Sequence, residues 1–251
     1  MKDFRREYPY LYETHLHTRE ASACAKAGGA DMVKACKAAG YTGIFITDHN
    51  WGGNTAVSRR LPWEDFIGQF VKGYEAARRM GEQIGLDVFF GWEAGYRGTE
   101  FLIYGLSPEW MLAHPQLWTA SVEEQYALVH EGGGLVIHAH PFRKEYYIPQ
   151  VRLFPEAVDG VEGLNATHSN SRSLEHNDRT FDEEAIVYAR EHDLPMTAGS
   201  DIHRTALLGG GMAFRRKLKD AQDFVQAVKN REDYLLTNGE EWFDRDGRKL
   251  I

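Results

Sequence analysis

Short apolar runs alternate with helical patterns along almost the whole chain, and that alternation limits the fold more than any other feature. Gly43-Ile44-Phe45-Ile46-Thr47, Asp87 to Trp92, Leu135-Val136-Ile137, Pro195-Met196-Thr197-Ala198 and Tyr234-Leu235-Leu236 are each too short for a helix. Their continuous apolar character reads as strands buried on both faces. Leu11 to His17 reads as a first strand and Glu100 to Leu106 as another. Between these runs, Asp31 to Ala39, residues 62–83, Val122 to Glu131, Asp182 to His192 and Asp220 to Asn230 carry helical spacing. Gly40 stops the first of these helices, Pro62 suits a first turn, and Gly132-Gly133-Gly134 ends the third. Such alternation predicts parallel strands joined by crossover helices. No linker, fixed-period repeat or low-complexity stretch interrupts it, so one domain over residues 1–251 is expected. With about seven strands, a barrel is favoured over an open sheet. A doubly wound sheet would carry a glycine-rich loop after its first strand, where this chain has His15-Leu16-His17.

Composition narrows the class of protein. A length of 251 residues with 43% hydrophobic content is ordinary for a globular α/β barrel. No apolar run approaches the ~20 residues of a membrane helix. The opening MKDFRREYPYLYETH has no apolar signal-peptide core, so a soluble cytoplasmic enzyme is expected. Cys24 and Cys36 cannot build a disulfide framework. The net charge of −8 disfavours an extended nucleic-acid surface but leaves room for a local basic pocket. Oligomeric state is not readable from the sequence.

The placement of the 11 histidines carries the functional signal. Seven of them (His15, His17, His49, His138, His140, His168 and His203) lie within or just after strand-like runs, whereas His114, His130, His176 and His192 fall in loop or helical stretches and read as solvated. Residues i and i+2 of a strand share a face, so His15 with His17, His138 with His140, and Asp201 with His203 each project together. Asp48-His49 and Glu93 follow two further strands. The C-terminal strand ends of a parallel α/β fold form its active-site face, where groups distant in sequence converge. A nucleophilic triad needs one histidine and does not explain six or more. Nitrogen and oxygen donors without thiolate pairs suit Zn, Mn or Fe in a multinuclear catalytic site, with a carboxylate able to bridge two ions. His138 reads equally well as a residue that orients a ligand.

In order along the chain, His15-Leu16-His17-Thr18, Thr47-Asp48-His49, Glu93, His140-Pro141 and Gly199-Ser200-Asp201-Ile202-His203 resemble the successive motifs of the polymerase and histidinol phosphatase (PHP) family. The resemblance spans roughly residues 11–215. It implies a distorted seven-stranded (β/α) TIM-like barrel with two or three divalent metal ions at the C-terminal strand ends, and phosphoesterase activity. It also implies that His15, His17, Glu93 and Asp201 hold one ion, that Glu93 bridges to a second held by His140, and that His49 and His203 hold a third. His168 is a further candidate ligand. Two positions depart from the family pattern. Where a His or Asp usually follows the first motif, this chain offers Glu20, Cys24 or no ligand; where a His usually follows the bridging Glu, it offers Glu100 or none.

The expected reaction is hydrolysis of a small phosphate monoester or a nucleotide-type phosphoester by a metal-activated water. His203 or His168 would protonate the leaving group. Arg143, Lys144, Arg19, Arg172 and Arg204 are candidate phosphate clamps, each equally readable as an exposed loop cation. Trp51, Tyr96, Tyr146 and Tyr147 would stack on a substrate ring or pack the barrel rim. Two rival functions fit the same pattern. An amidohydrolase-like enzyme would cleave C–N bonds or lactones, although no lysine at a mid-barrel strand end offers a carbamylated bridge. A non-catalytic metal-binding module would have lost ligands, whereas seven remain: His15, His17, His49, Glu93, His140, Asp201 and His203.

Overall fold

The fold is that of a computed structural model, described over residues 4–250; residues 1–3 and 251 of the expected single domain lie outside the described residues. A short helix α1 (Phe4–Glu7) precedes β1 (Tyr10–Glu13), α2 (Gly29–Ala38) and β2 (Gly43–Ile46). Helices α3 (Trp63–Phe70) and α4 (Lys72–Ile84) then lead into β3 (Asp87–Tyr96) and β4 (Thr99–Tyr104). After α5 (Pro108–Leu112) and α6 (Val122–Glu131) come β5 (Leu135–Ala139) and β6 (Gly160–Asn165). The chain continues through α7 (Ala166–Ser169), α8 (Thr180–Glu191), β7 (Met196–Gly199) and β8 (Gly210–Phe214). It closes with α9 (Ala221–Lys229), β9 (Tyr234–Asn238) and β10 (Trp242–Asp244).

Among the described residues the strands form one curled sheet in the order β10-β9-β8-β1-β2-β3-β4-β5-β6-β7. The extension of β7 meets the extension of β1: His17 N donates to Ile202 O at 3.0 Å and Ile202 N to His15 O at 3.2 Å. The sheet thus turns back on itself as a distorted α/β barrel. Gly199 permits this closure, since a Cβ there would sit 2.5 Å from the Cβ of His15.

The expectation of purely parallel strands is corrected. β1-β2-β3 and β5-β6-β7 are parallel, but β4 runs antiparallel to both β3 and β5. Only Arg97 and Gly98 separate β3 from β4, with φ of 53° and 86°. A two-residue turn with both φ positive makes a hairpin and leaves no length for a crossover helix. β8, β9 and β10 are also antiparallel to their neighbours. The helical stretch 62–83 is two helices, broken at Val71.

Side chains alternate as the pleat requires. Tyr12, Phe45, Tyr104 and Ile137 point into the barrel, while Leu11, Ile44 and Ile46 face α2 and α4. Phe224 of α9 lies among Phe45, Tyr104 and Phe214, filling the barrel end away from the histidine motifs. The outer layer over β3 to β5 is rich in aromatics, including Phe66, Phe70, Trp92 and Phe101. No helix among the described residues is long and apolar enough to cross a membrane.

Candidate metal centre

Every strand from β1 to β7 delivers a polar side chain to one end of the barrel. His15 and His17 follow β1, His49 follows β2, Glu93 lies within β3, His140 follows β5, and Asp201 and His203 follow β7. β4 runs the other way, so its first residues reach the same end and bring Glu100 there.

These groups converge closely. Glu93 is the hub: its Oε1 lies 3.0 Å from His140 Nε2 and 3.4 Å from His15 Nε2, and its Oε2 lies 2.8 Å from His49 Nδ1 and 3.4 Å from His17 Nε2. Asp201 Oδ1 stands 3.2 Å from His17 Nε2, 3.5 Å from His15 Nε2 and 3.7 Å from His203 Nε2. Glu100 Oε1 is 3.5 Å from His49 Nδ1, and its Oε2 is 3.7 Å from His140 Nε2. The rings of His17 and His203 are nearly parallel at 4.8 Å, and those of His17 and His49 at 4.3 Å.

The donor atoms fit cations. His15 Nε2, His17 Nε2, His49 Nδ1 and Glu93 Oε2 are buried and have no hydrogen-bond partner among the described residues. Orphaned polar atoms of this kind are costly unless another group satisfies them. His15 Nε2, His17 Nε2 and His49 Nδ1 each lie 2.8–3.4 Å from a Glu93 oxygen. Four sets of donors lie within 4.8 Å of one another: His15-His17-Glu93, His15-His140-Asp201, His49-Glu93-Glu100 and His17-His49-His203.

Electrostatics point the same way. Burial would push the His15 and His49 rings down, but facing carboxylates raise both well above the ordinary histidine value: Glu162, Asp201 and Glu93 for His15, and Glu93 and Glu100, helped by the Cys24 thiol, for His49. The buried carboxylates thus attract positive charge, which a divalent ion can supply in place of protons. Burial pushes His17 down to about 3 and His140 to about 4, which keeps their rings neutral. Burial and the Glu93 charge push Glu100 up to about 7. Burial opposes ionisation of Asp201, yet His15 and Arg143 hold it well below its usual range.

A second layer holds these groups in place. Glu162 on β6 takes a hydrogen bond from His15 Nδ1 at 2.8 Å, leaving Nε2 bare, and its other oxygen accepts from His140 N and Asn165 Nδ2, each at 3.1 Å. His17 Nδ1 faces Ser22 Oγ at 3.3 Å, and Ser22 donates to Asp48 at 2.6 Å. Asp48 therefore anchors the loop after β1, also accepting from Thr18 N and Thr18 Oγ1 at 2.6 Å each. Glu13 accepts from the backbone N–H groups of His15 and Ser200, tying the ends of β1 and β7 together. His140 and Asp201 both hold positive φ, 29° and 51°, a strained geometry that recurs at functional sites.

The structure does not gather every residue expected at the site. His168 is fully committed elsewhere: its Nδ1 meets Asp182 at 2.7 Å and its Nε2 accepts from Arg143 at 3.0 Å, so it is placed neither as a ligand nor as a proton donor. Arg143 is buried, with one amino group on Asp201 at 2.6 Å and Thr167 at 3.2 Å; it positions Asp201 rather than standing ready as a clamp. Arg204 turns to Glu175, Lys144 to Glu184 and Arg172 to the carbonyl of Leu208, while Arg19 is exposed outside the cleft. His138 does not share a face with His140. It stacks on Phe101 in the outer layer, because the positive φ of His140 breaks the strand alternation there. Glu20 caps the start of α2 through Gly29 N. Trp51 packs against Trp63 and Trp118, and Tyr96 against Phe101, as rim residues.

The cluster opens into a cleft of about 530 Å³ whose wall includes Cys24, Glu100, Arg143, Tyr147, Glu175 and His176. His176, expected to be solvated, instead lines this wall with its Nδ1 2.5 Å from Glu145 Oε1. Glu162 and His176 were missed from sequence. Glu162 lies inside an unremarkable Gly-Val-Glu-Gly run, and no local signal marks His176.

The buried histidines and carboxylates at the strand ends of this α/β barrel form groups that could hold divalent metal ions. A family profile described as PHP-associated matches residues 180–232. An uncharacterized protein of Methanocaldococcus jannaschii is 30% identical over 138 residues, covering 55% of this chain and 66% of that protein. A two-domain protein from Bacteroides vulgatus, containing a predicted PHP-like metal-dependent phosphoesterase, is similar in fold at a TM-score of 0.63 and 15% identity, over 91% of this chain and 64% of that one. An amidohydrolase from Chromobacterium violaceum is similar at a TM-score of 0.50 and 14% identity, over 78% of this chain and 88% of that one. The matches span about two thirds of the archaeal relative and of the two-domain protein. The profile match likens residues 180–232 to PHP-associated sequences, and the solved structures share the fold of the chain.

Proposed function

We propose that this chain is a metal-dependent phosphoesterase that hydrolyses a small phosphate monoester or nucleotide-type phosphoester. The observation that carries this reading is the set of orphaned, buried nitrogen and oxygen atoms that converge at the floor of the cleft. His15, His17, Glu93 and Asp201 would hold one ion, and Glu93 with His140 and Glu100 a second. Zn, Mn and Fe all suit these donors, and His49 with His203 offers room for a third ion. When bound, such ions make water a nucleophile near neutral pH and offset phosphoryl charge.

The chain's own groups do the rest. Arg143 holds Asp201 and orders His168 behind it. Glu162 holds His15 so that one ring nitrogen faces the cleft floor. With His203 given to the cation cluster, His176 is the imidazole left on the cleft wall to pass a proton to the leaving group, its ring oriented by Glu145.

Metal analysis of the purified protein, paired with p-nitrophenyl phosphate turnover before and after chelation, tests the reading. Two or three equivalents of Zn, Mn or Fe, with activity lost on chelation and in His17→Ala, support it. A panel of amides and lactones separates it from amidohydrolase chemistry. Turnover of those substrates in preference to phosphate esters would overturn it, as would a protein that binds no metal.

A further inference from the structure

The end of the barrel opposite the metal centre carries a pocket of its own. It encloses about 190 Å³ where β7 and β9 begin, against the buried Met196 and Tyr234. Two helices finish there. α8 closes with Leu194 N donating to Ala189 O at 2.8 Å, and α9 with Glu232 N donating to Ala227 O at 2.9 Å. Each closure turns on a residue in left-handed backbone, Asp193 at φ 50° and Arg231 at φ 49°. Glycine adopts that conformation freely, whereas an arginine is strained by it. Keeping Arg231 at such a position keeps its guanidinium at the pocket, beside those of Arg190, Arg245 and Arg248. Only two carboxylates, Asp193 and Asp246, share the lining with these four cations. The pocket is therefore positive on a chain whose net charge is −8.

Helix C-termini attract cations, and that accounts for only part of each side chain. Arg190 Nε donates to Asp246 O at 2.8 Å, and Arg245 Nη1 donates to the carbonyls of Arg231 and Glu232. Arg231 Nη2 donates to the carbonyl of Asp193 and stands 2.9 Å from its carboxylate. A guanidinium has five N–H donors, so most of those on these three residues have no partner among the described residues. Backbone carbonyls thus fix the three groups in place without cancelling their charge. We propose that this pocket binds a small tetrahedral oxyanion, free phosphate, through the unengaged N–H groups of Arg190, Arg231 and Arg245. Guanidinium forks match pairs of phosphate oxygens, which chloride cannot offer. The site stands apart from the metal-centre reading, since the pocket shares no lining residue with the cleft.

Titration calorimetry with inorganic phosphate tests the site, using the full chain at an ionic strength held constant with chloride. Expected is saturable binding that survives chelation and weakens by about tenfold or more in Arg190→Gln and in Arg245→Gln. Asp193→Asn should act in the opposite direction. It removes the carboxylate that competes for Arg231, and asparagine tolerates left-handed backbone as aspartate does. Phosphate should then bind roughly two- to fivefold more tightly. Heat that does not saturate, or one affinity shared by all four proteins, would overturn the site. Binding that disappears on chelation would place the phosphate at the metal centre and overturn it equally. Weaker binding in Asp193→Asn, alongside the arginine variants, would trace the losses to a disturbed fold and refute the site as well.

Discussion

His15 and Glu162 meet at 2.8 Å inside the barrel, one side chain delivered by the end of β1 and the other by β6, with both fully buried. The contact sets which nitrogen of His15 faces the cleft floor. Burial opposes ionisation of Glu162, but the nearby His15 ring holds its carboxyl below the usual range.

Replacing Glu162 with Gln keeps its shape and weakens its hold on the ring. We expect metal affinity to fall by about 10–100-fold, the usual effect of losing a group that orients a ligand. Competition against a coloured chelator measures it. Unchanged affinity would mean that His15 needs no such support.

His176→Asn should discriminate between leaving groups. Loss of a general acid costs on the order of 100-fold or more where the departing oxygen needs a proton. An alkyl phosphate should therefore lose far more turnover than p-nitrophenyl phosphate, whose leaving group departs as an anion. Equal losses on both substrates would remove His176 from the proton path.

Glu13 gives a pH signature. Burial pushes its carboxyl from 4.5 up to about 7, even though Ser200 and His15 N–H groups donate to it. Between those values the folded protein holds a proton that the unfolded chain has released, so stability falls as pH rises through the window. Glu13→Gln removes this dependence while keeping an acceptor oxygen. Its stability relative to the unaltered protein should grow from pH 4.5 to pH 7 and level off above, by up to about 3 kcal/mol. Denaturant melts at a series of pH values check this, and a flat difference would refute it.

Chelation should lower thermal stability, since ions that bind only the folded chain stabilise it. At free metal a hundredfold above the dissociation constant the effect is about 2.7 kcal/mol. For a chain of this size that corresponds to a Tm drop of about 5–10 °C, reversed on adding metal back. A Tm indifferent to chelator would contradict the centre.

What the order of residues determines by itself is local. The alternation of short apolar runs with helical spacing is enough for an α/β barrel. His15, His17, His49, Glu93, His140, Asp201 and His203 stand at strand ends whatever the register, because each follows or continues an apolar run. What only the tertiary structure decided depends on backbone direction and on partners far along the chain. The two-residue turn at Arg97-Gly98 reverses β4 and carries Glu100 to the cleft. The positive φ of His140 separates it from His138, against a spacing identical to that of His15 and His17. Arg143 and His168 satisfy each other rather than the cleft, and Glu162 finds His15 only because the sheet curls β6 round toward β1. Pattern and residue type are properties of neighbours in sequence, whereas lone pairs are aimed by the closure of the barrel, which no short window of residues contains.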